Sequence, residues 1–101
     1  MPNTRSAKKR LRQNEKRRLR NRWFRGRAKT FIKKAKKAMM AGDAESAVYY
    51  TRLAIKALDK AAAKGILHKR NVARRKSRLM KQLNVFLKQL PPEQVPEEVV
   101  A

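Results

Sequence analysis

The chain has 101 residues, with 29 Lys or Arg against 7 Asp or Glu, and a net charge of +22. One His and no Cys exclude a disulfide framework, a thiolate metal site and most designs of catalytic centre. No apolar run reaches the roughly 18 residues of a membrane span, no apolar segment marks a secretory leader, and the length suits one small domain. The expected setting is the cytoplasm and the expected partner a polyanion.

The charge is segregated along the chain. Residues 1–40 hold 17 basic side chains and a single acid, Glu15. Residues 41–63 hold three of each sign, residues 64–90 hold nine basic side chains and no acid, and residues 91–101 hold three acids and no base. This places a neutral packed element between two elements that face phosphate.

The first predicted helix spans about Ser6 to Ala41. Its apolar stripe is Phe24, Ala28, Phe31, Ile32, Ala35, Ala38 and Met39, at the spacing of one helix face. Lys29, Lys33, Lys36 and Lys37 fall on the opposite face. Extended backwards, the stripe meets Arg20, Arg17, Gln13 and Arg10, so the N-terminal half has nothing to bury. Lys8/Arg12, Arg12/Lys16, Lys16/Arg20 and Arg18/Arg22 are like-charge pairs one turn apart. Each opposes the helix by about 0.2–0.5 kcal/mol. Only Glu15 offers relief, toward Arg12 and Arg18. Residues 1–20 are therefore expected to be unstructured when free and to become helical against a polyanion.

Gly42 suits the end of that helix and Asp43 the cap of the next, with Glu45 in its first turn. The second helix runs to about Lys64, and Gly65 stops it. Its apolar face is broad: Ala44, Ala47, Val48, Thr51, Ala54, Ile55, Leu58, Ala61 and Ala62, widened by Tyr50, Leu53 and Ala57. Such an arc predicts a helix packed between the other two. Tyr49 and Tyr50 are read as partial core, and Asp59 as pairing locally with Lys56 or Lys60.

The third helix starts near His68 or Asn71 and ends at Gln89, before Pro91-Pro92. Its stripe is Val72, Leu79, Met80, Leu83, Phe86, Leu87 and Leu90. Lys76 lies inside the stripe and must snorkel. Arg70, Arg74, Arg78, Lys81 and Lys88 lie on the far side, and Arg75 adds to the same basic segment. Residues 91–101 read as a flexible acidic tail.

The fold expected is all-α: an antiparallel three-helix bundle over residues 24–90, with the long first helix extended as a basic N-terminal arm over residues 1–23. The arm presents charge all round, in the string R-S-A-K-K-R-L-R-Q-N-E-K-R-R-L-R-N-R. A membrane-lying helix needs an apolar face, and here only Leu11, Leu19 and Trp23 are on offer. Charge on every side suits insertion among several phosphate strands. Arg5, Arg12, Lys16, Arg17, Arg20 and Arg22 are candidate contacts on this ground, as are Lys29, Lys37, Arg70, Arg75 and Arg78 on the two basic helices. Trp23 either stacks on a base or covers the end of the bundle beside Phe24, the latter being favoured. His68 has no partner at metal spacing; a phosphate contact and a helix N-terminal role stay open for it. No Gly-rich phosphate loop, nucleophile elbow or His/Cys cluster is present.

Four stretches carry a resemblance: Asn3 through Arg10 (N-T-R-S-A-K-K-R), Thr30 through Lys34 (T-F-I-K-K), Ala41-Gly42-Asp43, and Asp59 through Leu79 (D-K-A-A-A-K-G-I-L-H-K-R-N-V-A-R-R-K-S-R-L). Over residues 2–90 the chain resembles the bacterial small-subunit ribosomal protein S20 family. The resemblance implies a three-helix bundle with a long first helix, direct binding of 16S ribosomal RNA early in assembly, and no catalytic activity. It implies a bridge between the 5′ domain of that RNA and the long penultimate stem near its 3′ end. It implies RNA contacts at Ser6, Lys8, Lys9, Arg10, Lys33, Lys34, His68, Lys69, Arg74 and Lys76. Arg70 stands where the family commonly has Asn, and the acidic tail is outside the family pattern. The expected partners are 16S ribosomal RNA and the assembled small subunit, with no cofactor, metal, membrane, small-molecule substrate or self-association. The location is then the ribosome, in a bacterial cytoplasm or an organelle of bacterial ancestry.

Overall fold

The computed structural model describes residues 4–96, and the outermost positions of the arm and of the acidic tail, 1–3 and 97–101, lie outside them. Three helices follow one another: α1 over Arg5–Ala41, α2 over Ala44–Ala63 and α3 over Lys69–Lys88, with a short 3-10 turn over Pro92–Gln94. No strand occurs among the described residues. The bundle is all-α and three-helical, as the periodicity predicts.

Each boundary has a local cause. The Thr4 hydroxyl accepts the Ala7 N–H at 3.2 Å and caps α1. At the other end Gly42 adopts φ 75°, a left-handed conformation that side chains disfavour. It lets Asp43 N–H reach Ala38 O at 3.0 Å and Gly42 N–H reach Met39 O at 3.2 Å, a Schellman-type ending. Gly65, at φ 72°, closes α2 in the same way, with Ile66 N–H to Ala61 O at 2.9 Å. The Asp43 carboxylate accepts the Ser46 N–H at 3.2 Å and starts α2. The Ser46 side chain and then its backbone N–H stabilise the ionised carboxylate, holding Asp43 below its ordinary range.

The core is built in three tiers. Ala38, Ala44, Ala47, Val48, Leu83 and Leu87 form the tier nearest the α1–α2 turn. Ala35, Ala54 and Leu79 form the middle, under Phe31 and Ile32. Ala28, Ala57, Leu58 and Val72 form the tier nearest the α2–α3 loop. Seven of these thirteen residues are alanines on α1 and α2, whose small side chains let those two helices approach closely. The second helix packs on both neighbours, while α1 and α3 touch least. Thr51 is the one buried polar residue in this core, at 1% exposure, and its hydroxyl has no hydrogen-bond partner among the described residues.

Burial on α1 begins at Ala28, and no described residue before Trp23 is buried. The helix is about 55 Å long at 1.5 Å per residue. Its overshoot gives the molecule extents of 66 × 23 × 18 Å. Helix runs unbroken from Arg5, the conformation expected of the arm against a polyanion. The physical reason is continuity. Nucleation is the costly step, and the packed half supplies the nucleus from which the arm propagates.

Two expectations change. Met80 is exposed although it falls in the predicted α3 stripe, and Tyr49 is exposed while Tyr50 is half-buried. Past the Pro91-Pro92 stop, Val95 and Pro96 are half-buried and border a cleft with Glu45, Tyr49 and Arg52 of α2.

Candidate nucleic-acid interface

The fold sorts charge along its length. At one end lie the α1–α2 turn and the described part of the tail, with Asp43, Glu45 and Glu93. At the other end α1 leaves the bundle as the arm, beside the α2–α3 loop and the start of α3. Arg25 ties these together by donating from Nη2 to Ile66 O at 3.2 Å, and Lys64 places its ammonium 5.3 Å from the Phe24 ring centroid. The root of the arm and the N-terminus of α3 therefore form one basic end.

On the arm, Arg5, Ser6, Lys8, Lys9, Arg10, Arg12, Lys16, Arg17, Arg20 and Arg22 are all exposed. Ser6 Oγ lies 3.3 Å from the capping hydroxyl of Thr4. Glu15 makes no ion pair among the described residues. The arm's cations make no ion pair among the described residues. Arg17, Arg22, Arg25 and Lys29 surround one shallow groove on α1 with Asn14, Asn21 and Gly26.

Further along α1, Lys29, Lys33, Lys34 and Lys37 are exposed. Lys34 differs from the others in reaching toward α2, with Nζ 5.5 Å from the Tyr50 ring centroid. Such a contact leaves the charge in place and restricts where it points.

On the third helix, His68 takes the N-terminal role. Its Nδ1 accepts the Arg70 N–H at 3.1 Å and caps α3. In the neutral ring that fixes the remaining proton on Nε2, which stays a donor toward solvent. The first turn of α3 carries Lys69 and Arg70 and no acid. The positive end of the helix dipole is therefore reinforced rather than neutralised, an arrangement that favours an anion. Arg74, Arg75 and Arg78 are exposed.

Lys76 is placed differently from the other candidates. Its Nζ lies 2.9 Å from Oδ1 of Asp59 on α2. This corrects the expectation that Asp59 pairs with Lys56 or Lys60. It also shows how Lys76 escapes the apolar stripe: it is held by an acid on the neighbouring helix.

Trp23 sits beside Phe24 and faces Leu53, Lys56 and Lys60 of α2 across a small cavity, with 55% of its surface left in water. It meets Phe24 edge-on at 4.7 Å between ring centroids, and the Arg27 guanidinium stands 5.2 Å from its centroid. Periodicity reveals neither the Arg25 bond nor the open setting of Trp23. The one signal in the sequence for the latter is Gly26, a glycine inside a helix with no turn to make.

The helix order, the two Gly-closed turns and the lengthwise charge can now be set beside known proteins. The model of the family described as Ribosomal protein S20 matches residues 2–84. The chain belongs to the ribosomal protein S20 family. It is 60% identical over 88 residues to the small ribosomal subunit protein bS20 of Thermomicrobium roseum, covering 87% of this chain and 89% of that protein. It is 54% identical over 82 residues to bS20 of a Roseiflexus species, covering 81% and 89%. With bS20 of Thermotoga neapolitana it shares 46% identity over 99 residues, 97% of this chain and the whole of that protein. The family match stops short of the acidic tail, while the Thermotoga relative aligns across most of it. Membership makes this chain a structural ribosomal protein of the small subunit and not an enzyme. No helix among the described residues is long and apolar enough to cross a membrane.

Proposed function

We propose that this ribosomal protein binds 16S ribosomal RNA directly, through phosphate, and stabilises its fold while the small subunit assembles. The observation that carries the reading is the arm. It is a helix that projects past its own core, is charged on every side and has no acid partner among the described residues. Self-repulsion of that size calls for a counter-charge, and converging phosphate backbones supply one.

Phosphate contacts position a protein without reading sequence. Recognition then rests on the shape of the folded RNA, since the deep groove of A-form RNA is closed to side chains. The arm enters a cleft between RNA helices. The N-terminus of α3, with His68, Lys69 and Arg70, engages phosphate beside the root of the arm. Arg74, Arg75 and Arg78 extend that contact along α3. In this reading a single copy of the chain bridges the 5′ domain and the long penultimate 3′ stem, acting as a counterion of fixed shape.

A salt titration of affinity tests this, comparing the 5′ domain of 16S RNA with duplex DNA of equal charge. The reading predicts tight RNA binding near physiological salt while DNA binding collapses. Equal affinities and equal slopes would make the chain a general polyanion binder, an architectural DNA-coating protein included.

A further inference from the structure

Two features of α1 are unfavourable for a free helix and lie one turn apart on the same face. Trp23 leaves 55% of its surface in water. Gly26 sits in mid-helix, where glycine is the worst residue after proline. No internal packing accounts for it, because a Cβ at Gly26 would meet nothing within 4 Å. Nor is it at a turn, since only Gly42 and Gly65 have positive φ among the described glycines.

Leu19, Arg22, Trp23, Gly26, Arg27 and Thr30 line one shallow groove at the root of the arm. The ring is held from one side: Phe24 meets it edge-on, and Arg27 stands over one face. Gly26 lowers the groove wall beside it, so a flat group lying against the ring can approach the helix backbone. Arg22 and Arg27 flank the site with positive charge, and the arm beside them is cationic throughout.

We infer that this groove is a stacking site for an unpaired RNA base, with Trp23 as the platform, Gly26 as the clearance and Arg22 and Arg27 on the flanking phosphates. The inference rests on the RNA-binding reading above and adds a specificity to it. A paired helix offers its phosphates to the arm and keeps its bases stacked inside. An unpaired nucleotide offers both phosphate and base face, and only the latter uses Trp23.

The test uses the full chain. Trp23 is the only tryptophan, so its emission reports on this groove alone. The probes are a labelled oligoadenylate and an RNA duplex with the same number of phosphates, with binding followed by anisotropy of the label. Oligoadenylate is expected to quench Trp23 emission, and the duplex to bind with little quenching. Trp23→Ala is expected to weaken oligoadenylate binding roughly 5- to 150-fold, the range of base–aromatic stacking, while leaving duplex affinity within about twofold. Trp23→Phe retains most of the preference. Gly26→Ala raises helix content by circular dichroism yet weakens oligoadenylate binding, since its methyl narrows the groove. If oligoadenylate binds without quenching and Trp23→Ala binds it equally well, the stacking site is overturned while phosphate binding stands. If neither RNA binds, the RNA-binding reading falls and this inference falls with it.

Discussion

The ammonium of Lys76 lies 2.9 Å from the carboxylate of Asp59, joining α3 to α2 across the outer edge of the core. Both side chains are partly exposed, at 36% and 53%, so the pair contributes about 0.2–1 kcal/mol to stability. The larger consequence concerns RNA. On the proposed RNA-binding reading Lys76 meets phosphate with part of its charge already matched, whereas Arg74 and Arg78 have no such partner among the described residues. Lys76→Ala is therefore predicted to weaken RNA binding less than Arg74→Ala does. Asp59→Asn is predicted to leave affinity equal or higher. A filter-binding series on the three variants checks the order, and a larger loss at Lys76 than at Arg74 would contradict it.

Arg25 and Arg22 are both exposed and lie within one turn of α1, but only Arg25 is tied to the bundle. Arg25 donates to Ile66 O and anchors the α2–α3 loop; Arg22 is exposed and its side chain makes no hydrogen bond among the described residues. Arg25→Ala is predicted to lower stability by about 1–2 kcal/mol, as for loss of a hydrogen bond from a charged donor. Arg22→Ala should stay within about 0.5 kcal/mol of the parent. Urea unfolding of the two variants makes the comparison.

Thr51 offers a gain. Its hydroxyl is buried without a partner in the middle of α2. Val has the same branched shape and no polar atom to desolvate. Thr51→Val is predicted to stabilise the bundle by about 1 kcal/mol. An unchanged or lower thermal midpoint would show that the hydroxyl is satisfied in solution.

Asp43 gives a pH dependence with a defined sign. The Ser46 hydroxyl and N–H hold its folded-state pKa below the ordinary value of 3.8. The stabilisation is thus complete above the unfolded-state pKa and is lost as pH falls through the lower folded-state value. Asp43→Ala is predicted to lower the thermal midpoint at pH 7, with the difference from the parent shrinking in strong acid. Asp43→Asn retains the cap and loses less. Melting curves from pH 7 to pH 2 follow both.

The three helices are legible in the sequence because strong punctuation agrees with strong periodicity: Gly42-Asp43, Gly65 and Pro91-Pro92 bracket stripes of apolar residues. The N-cap role of His68 is within reach for the same reason. What escapes depends on register between helices. Asp59 finds Lys76, 17 positions away, because α2 and α3 are antiparallel at that height, and spacing along one helix cannot show it. Trp23 immediately precedes the α1 stripe; it faces Leu53 and Lys56 of α2 across a small cavity, and more than half of it stays in water.

The most direct test of the central claim is the salt dependence of 16S RNA binding with and without the arm. Log affinity against log salt is measured for the full chain and for a chain lacking residues 1–20. The account predicts that deletion weakens binding and flattens the slope, since a phosphate that the arm no longer neutralises keeps its counterions. Unchanged affinity with an unchanged slope would contradict it, and would place RNA recognition on the bundle alone.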